Sequence, residues 1–440
     1  MYITKVALKN VRCFREATLN LESQGKPTMW TVVVGDNGDG KTTLLRAIAM
    51  GLCDESSAAA LHRELAGDFV RKGEGRASVE VHLRGKDNRH YVINTRIKPL
   101  PAFERVTQKV FEVTGKNRKE LDQGSFPWKE IFVSGYGAGR QTEGSENFRK
   151  YVAVDALYTL FWYTQPLQNP ELVWGRLLRH ARRYPGRQKA DEAERKANKR
   201  VAELLSKVLM LKEPYRISLT SEGIEGRERG QHIPLEALGD GHRATIAWVL
   251  DLLSWWLLYD KKQKRQVTGI VLVDELEQHL HPKWQRTIVG LLSKHFPRIQ
   301  FITTTHSPLC ARGTADVTDK GAQLVMARRN ADGIAEIVAD LPSLAGLRPD
   351  QVLASEVFGY LIEASVGTEE LLREASILAG KGEKRNRAED ARYRKLKKEL
   401  KEQLVPDGQT GIEREIQSEQ HQEMRSEIAE LEKRLFRGTR

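Results

Sequence analysis

The chain has 440 residues, 40% of them hydrophobic, enough to bury one large core or two smaller ones and too apolar for a chain disordered throughout. No apolar run approaches the roughly 20 residues that span a bilayer, and Met1-Tyr-Ile-Thr-Lys5 lacks the layout of a secretory signal, so a cytoplasmic protein with no membrane association is expected. The formal charge of +12 is concentrated: residues 176–200 hold ten Lys/Arg against three Asp/Glu, and residues 381–402 hold ten against five. A nucleic-acid footprint and a long solvated helix both produce such runs.

In chain order, Tyr2-Ile-Thr-Lys-Val-Ala-Leu8 alternates as a strand does, and Trp30-Thr-Val-Val-Val34 is an apolar strand. That strand runs into Gly35-Asp36-Asn37-Gly38-Asp39-Gly40-Lys41-Thr42. Thr43-Leu-Leu-Arg-Ala-Ile-Ala-Met-Gly-Leu52 then carries apolar residues at helical spacing, so the glycine loop sits between strand and helix. Residues 77–98 alternate again, and Glu130-Ile-Phe-Val133 is a short strand before a Gly-rich turn. A helical hairpin is predicted from Glu171 to Leu211, broken at Tyr184-Pro185-Gly186.

Strand-helix alternation then resumes: a helix over His242–Tyr259, a strand over Thr268–Val273, a helix over Pro282–His295 and a strand over Gln300–Thr305. This is the pattern of an α/β sheet covered by helices. Beyond Leu371 the chain becomes charged and helical, with one apolar stripe at Leu396, Leu400 and Leu404 and another at Met424, Ile428, Leu431 and Leu435, read as an antiparallel pair. Cys13, Cys53 and Cys310 form no C-x-x-C pair and are read as reduced core residues.

A glycine loop between strand and helix curls its backbone N–H groups around phosphate oxygens, with the helix N-terminus behind them. Lys41 is spaced to reach the β- and γ-phosphates of ATP, and the hydroxyl of Thr42 to ligate Mg2+; Thr43 follows in the first helical turn. Ile270-Val-Leu-Val273 delivers Asp274 and Glu275 to a strand end. An apolar run ending in two acids is ordinary by itself, but after the loop at Gly35 it supplies a magnesium partner, Asp274, and a base for the attacking water, Glu275. Thr303-Thr-Thr305-His306 places an imidazole at the same sheet edge, whereas His279 and His281 are read as structural. Leu238-Gly239-Asp240-Gly241-His242-Arg243 is locally a helix start, with Asp240 as its cap.

The order of these elements resembles the ABC-type ATPase heads of the SMC/RecF class, from Leu8-Lys-Asn-Val-Arg12 through the loop at Gly35, Val273-Asp-Glu-Leu-Glu277 and Thr304-Thr-His306, over residues 1–345. The resemblance implies a head of residues 1–165 and 213–345, with a basic hairpin at 166–212 inserted in it and a C-terminal region at 346–440 for oligomer or partner contacts. It further implies head-to-tail homodimers or higher oligomers, in which Gly239, Asp240 and Gly241 act in trans on the γ-phosphate bound at Gly35 to Thr43. It implies a nucleotide contact for Arg12 and assigns Gln141, after Gly135-Tyr-Gly-Ala-Gly-Arg140, to a metal-contacting glutamine loop. Glycine at 239 stands where the common signature has serine, which implies slow hydrolysis.

Ser134-Gly-Tyr-Gly-Ala-Gly-Arg140 and Leu347-Arg-Pro-Asp-Gln-Val-Leu353-Ala-Ser-Glu-Val-Phe-Gly359 are similar to stand-alone bacterial ATPases described as involved in virulence, and to the ATPase subunit of the Septu anti-phage system. That resemblance implies a regulatory ATPase working with a separate effector nuclease, of HNH or TOPRIM type, since the chain itself shows no nuclease cluster. A RecF-like ATPase that binds duplex DNA directly is the alternative.

Overall fold

The computed structural model describes residues 1–403 apart from 86, 142–147, 149, 182–186, 210, 212–214, 220–222, 230, 260–267, 340, 343, 345, 348–350, 353, 354, 356, 359–370, 372, 373, 375–377 and 379–385. Two compact units divide the chain, residues 1–359 and residues 360–440.

The first unit opens with strands β1 (Tyr2–Val11) and β2 (Phe14–Asn20), the short pair β3 (Glu22–Ser23) and β4 (Lys26–Pro27), and β5 (Trp30–Val34). Helices α1 (Lys41–Gly51) and α2 (Glu55–Arg63) follow, then strands β6 (Ala77–Arg84), β7 (His90–Pro99), β8 (Glu104–Thr114) and β9 (Asn117–Leu121). Next come β10 (Phe132–Tyr136), α3 (Ala153–Phe161), α4 (Pro170–Ala181), α5 (Arg187–Val208) and the small strands β11 (Tyr215–Leu219), β12 (Ile224–Glu228) and β13 (Gln231–Pro234). The unit closes with α6 (Asp240–Tyr259), β14 (Gly269–Val273), α7 (Pro282–His295), β15 (Ile299–Thr304), α8 (Pro308–Arg312), β16 (Ala322–Arg329) and β17 (Ala335–Val338).

A single sheet runs β10-β14-β15-β5-β16-β17-β2-β1-β6-β7-β8-β9. Its β10-β14-β15-β5-β16 part is parallel and its β2-β1-β6-β7-β8-β9 part antiparallel. β14 is apolar throughout and β5 nearly so, because both faces are covered. Trp30, Val32 and Val34 of β5 enter one core with α4, α5, α6 and α7, while Val33 enters the other with α1 and α2. β14 divides the same way, with Val271 and Val273 on one side and Ile270 and Leu272 on the other.

Helix starts follow local chemistry. Pro282 opens α7 behind His281, whose Nδ1 accepts from Lys283 N at 3.2 Å, and the Ser307 hydroxyl accepts from Leu309 N and Cys310 N to start α8. His281 is therefore structural. Asp240 differs from its expected role as a cap: it is the first residue of α6, and its carboxylate accepts from Arg243 at 2.7 Å. β10 begins at Phe132, two residues later than expected, because Trp128–Glu130 coil into a 3-10 turn, and it extends through Ser134 and Gly135 to Tyr136.

Helices α4 and α5 fall where the hairpin is expected, and its break at 184–186 lies outside the described residues. Val173, Trp174, Leu178, Leu204, Leu205 and Val208 are buried in the main core, so this end of the pair is part of the head's interior. Arg176, counted among the basic residues there, donates to Gln168 Oε1 at 2.9 Å and to the Ser254 hydroxyl. Among the described residues no helix is long and apolar enough to cross a membrane.

In the second unit, α9 (Arg387–Gln403) buries Leu396 with Leu378, Leu371 and Tyr393 packed around them, and Arg392 pairs with Glu374. The expected second stripe, Met424 to Leu435, and the turn before it lie outside the described residues.

Candidate functional site

β5 ends at Val34, and the chain turns at once into the glycine loop. Gly35 has φ 144°, and a Cβ there would overlap the Ala327 carbonyl oxygen of β16. Gly40 has φ 96°, and a Cβ would lie 2.6 Å from Cys13 Sγ and 2.7 Å from the Phe14 ring. Close packing of β2 and β16 against the loop therefore demands glycine at both positions. Asp39 braces the curl, its carboxylate accepting from Asp36 N at 2.9 Å.

Lys41 starts α1 and folds back over the loop, with Nζ donating to the carbonyl oxygens of Gly35 at 2.8 Å and Asp36 at 2.9 Å. Burial pushes its pKa below the ordinary lysine range, while Asp274, Asp39, Glu277 and Asp36 oppose that shift. The Thr42 hydroxyl donates to Asp274 Oδ2 at 2.7 Å, and the Thr304 hydroxyl to Asp274 Oδ1 at 2.5 Å. Thr42 and Asp274 thus present hard oxygens at one point, a donor set that fits Mg2+, which takes one or two protein oxygens and completes its shell with phosphate and water.

Glu275 follows Asp274 at φ 48°, a left-handed conformation that costs an L-residue roughly 1–2 kcal/mol. Its N–H donates to Thr304 Oγ1 at 2.9 Å, and its carbonyl accepts from Arg140. Burial first, then the neighbouring carboxylates of Asp274 and Glu277, push the Glu275 pKa above the usual carboxylate range; His306 and Arg140 pull it down. A carboxylate held in this way is a stronger proton acceptor than an exposed one.

His306 is set by a residue without an assigned role in the motif reading. Glu277 accepts from the Thr305 hydroxyl at 2.6 Å and from His306 N at 2.5 Å, tying the end of β15 to the turn after β14.

One cavity of about 520 Å³ gathers Arg12, Asn37, Gly38, Gly40, Lys41, Thr42, Thr43, Asp274, Glu275 and His306, together with Cys13, Arg71, Arg329 and Gly333. Gly35, Asp36 and Asp39 shape the loop behind this wall. Arg12 lines the cavity, with its guanidinium donating to the carbonyls of Ala66 at 2.6 Å and Asp68 at 3.1 Å. Cys13 is also on the wall, only partly buried, which corrects its reading as a core residue; Cys53 and Cys310 are buried as expected, and all three are free.

Gly239, Asp240 and Gly241 do not line the cavity; Gly239 and Asp240 are exposed, and Gly241 packs close to the His279 carbonyl. Gln141 is exposed and off the cavity wall, its carbonyl accepting from Leu167 N at 2.7 Å.

Sequence reasoning missed Arg71, Arg329 and the bracing role of Arg140. Arg329 donates to Gly38 O at 2.7 Å and Arg71 to the carbonyls of Arg12 and Cys13. Neither belongs to a spaced motif, and only the pairing of β16 with β5 brings Arg329 to the loop.

Residues 5–213 match the family model "AAA domain", and residues 158–311 match "AAA domain, putative AbiEii toxin, Type IV TA system". The chain is 26% identical over 361 residues to Septu protein PtuA of Bacillus mycoides (strain KBAB4), across 81% of this chain and 45% of that protein. Both matching models are of AAA domains, and the chain is similar to PtuA. The chain is also 43% identical over 84 residues to "Retron Vc95 probable ATPase" of Vibrio cholerae serotype O1 biovar El Tor, across 19% of this chain and 16% of that one. The chain thus spans less than half the length of these curated relatives. Among solved structures it is similar to the SmcHead bound to the C-winged helix domain of ScpA, with a TM-score of 0.45 and 16% identity, over 78% of this chain and 98% of that one.

Proposed function

We propose that the head binds ATP with Mg2+ in this cavity and hydrolyses it slowly, as the regulatory subunit of an anti-phage defence complex that controls a separate effector nuclease. The observation that carries the reading is the convergence of Lys41, Thr42, Asp274, Glu275 and His306, from three places in the sequence, on one wall. The loop N–H groups and Lys41 bind phosphate, and Thr42 and Asp274 hold the metal, which supplies charge neutralisation at the transferring phosphoryl group when bound. Glu275 accepts the proton of the attacking water, and His306 faces the terminal phosphate.

In this reading the output of ATP is assembly. Gly239 and Asp240 are exposed and off the cavity wall, which suits action on the nucleotide of a second head in a head-to-tail homodimer. Similarity to PtuA and to a retron ATPase supports the defence setting. Residues 346–440 are assigned to oligomer or effector contacts, the effector being an HNH or TOPRIM nuclease, in a cytoplasmic complex without membrane attachment. Gln141 retains a metal role only if its loop moves when nucleotide binds.

ATP hydrolysis and sedimentation, measured for the wild type and Glu275→Gln, test the proposal. The variant should lose turnover by about 100-fold or more, keep ATP, and sediment as a closed dimer. Unaltered turnover removes Glu275 from the mechanism. The alternative, direct binding of duplex DNA, draws on the basic residues 176–200, but Arg176 is already bound inside the head. DNA affinity that falls steeply with salt would favour it.

A further inference from the structure

The buried guanidinium of Arg140 lies directly behind the strand end that carries the two acidic site residues. Its Nη2 donates to the carbonyl oxygen of Asp274 at 2.7 Å and also to that of Glu275, and its Nε donates to Gly137 O at 3.1 Å. The guanidinium carbon lies 5.8 Å from the centre of the Trp248 ring on α6. Arg140 is 5% exposed and is not on the cavity wall, so its effect on a substrate must pass through another residue.

That residue is Glu275. Its left-handed backbone is held at the N–H by Thr304 and at the carbonyl by Arg140. Without the guanidinium, the carbonyl loses its partner and the peptide is free to relax toward the right-handed region, which swings the side chain away from the cavity. A lysine in the same place keeps the charge but has no second nitrogen held in plane with the first, so it cannot join the Gly137 carbonyl to the carbonyls of Asp274 and Glu275 in one fixed geometry.

The arginine is itself held. Gly137 and Gly139 lie against the carbonyl oxygens of Thr159 and Tyr163, so close that any Cβ there would collide, and the Gln141 carbonyl accepts from Leu167 N. The loop after β10 is thus clamped to the end of α3 and to the segment that leads into α4.

We infer that Arg140 is a positioning residue for Glu275, setting the orientation of that carboxylate through the backbone of the Asp274-Glu275 pair. The inference rests on the reading of Glu275 as the base given above.

The test is a double-mutant cycle on ATP turnover by the full chain, with nucleotide affinity measured by mant-ATP fluorescence. Arg140→Lys should lower kcat by roughly tenfold to a hundredfold, the scale expected for a misplaced catalytic group, and leave mant-ATP affinity within about twofold. In a Glu275→Gln background the same change should alter the residual rate by less than about twofold, because the group it positions is already disabled. A purely structural arginine would lower rate and affinity together, or would produce equal decrements in both backgrounds; either result overturns the inference, as does an unchanged kcat. If Arg140→Lys does not fold, Arg140→Gln takes its place in the cycle, and failure of both to fold makes Arg140 a folding residue and also overturns it. Glu275→Gln alone separates the two possible failures. Unaltered turnover in that variant sinks the reading of Glu275 as base, whereas lost turnover with an independent effect of Arg140 sinks only the positioning role.

Discussion

The Thr42 hydroxyl lies 2.7 Å from Asp274 Oδ2, a hydrogen bond between residues 232 positions apart that joins the first turn of α1 to the end of β14. Under the proposed function these two oxygens are ligands of a magnesium ion, whose octahedral shell phosphate and water would complete. Thr42→Ala removes one ligand and leaves the fold of α1 intact. Calorimetric titration should show ATP affinity in the presence of Mg2+ reduced by about 10- to 100-fold, and little change with EDTA present. An equal loss under both conditions would place Thr42 outside the metal site.

Lys41 donates to two loop carbonyls, which under the proposed function it exchanges for phosphate oxygens. Charge-assisted hydrogen bonds of this kind contribute about 1.5–3 kcal/mol, so Lys41→Ala should weaken ATP binding by roughly 10- to 150-fold. Equilibrium binding of mant-ATP measures the change.

Gly35 and Gly38 both have positive φ, but only Gly35 has a backbone carbonyl where its Cβ would stand; the nearest atom at Gly38 is the Arg329 guanidinium, at 3.9 Å. Gly35→Ala should therefore destabilise the head by about 2–4 kcal/mol, through overpacking added to backbone strain, and Gly38→Ala by about 1–2 kcal/mol through strain alone. Thermal unfolding of the two variants should rank them in that order.

Asp251 is buried on α6, accepting from the Tyr136 hydroxyl at 3.0 Å and from Gln168 N and Nε2 at 3.1 and 3.0 Å. Burial pushes its carboxyl up to about 6 against those hydrogen bonds, which favour the charged form. Between about pH 4 and pH 6 the folded state then holds a proton that the unfolded chain has released, so this residue's contribution to stability falls as pH rises through that window. Asp251→Asn removes the dependence. Relative to the wild type, the variant should gain up to about 3 kcal/mol between pH 4 and pH 7 in urea unfolding, and a difference that does not vary with pH would refute the shift.

Much of the site was legible because its chemistry is local. The loop at Gly35 lies within eight consecutive residues between a strand and a helix, and Asp274-Glu275, ordinary by itself, stands out once that loop has been read. Arg140, Arg329 and Glu277 carry no comparable signal. Each acts through hydrogen bonds to backbone, and a backbone partner leaves no mark on the sequence of either segment. The sheet β11-β12-β13 was missed for a related reason: Ile224-Glu-Gly-Arg-Glu228 and Gln231-His-Ile-Pro234 are short and polar, and become strands only by pairing with each other.

The sequence by itself determined the glycine loop between strand and helix, the acidic strand end and the alternation of strands and helices, since those depend on side-chain type and on periods of two and 3.6 residues. Tertiary structure decided that Asp274 meets Thr42, that Cys13 stands on the cavity wall and not in the core, that Arg176 turns inward, and that Glu275 keeps a left-handed backbone under Arg140. The order of strands in the sheet brings these residues together, and that order depends on contacts between segments far apart in the chain, which no window of sequence contains.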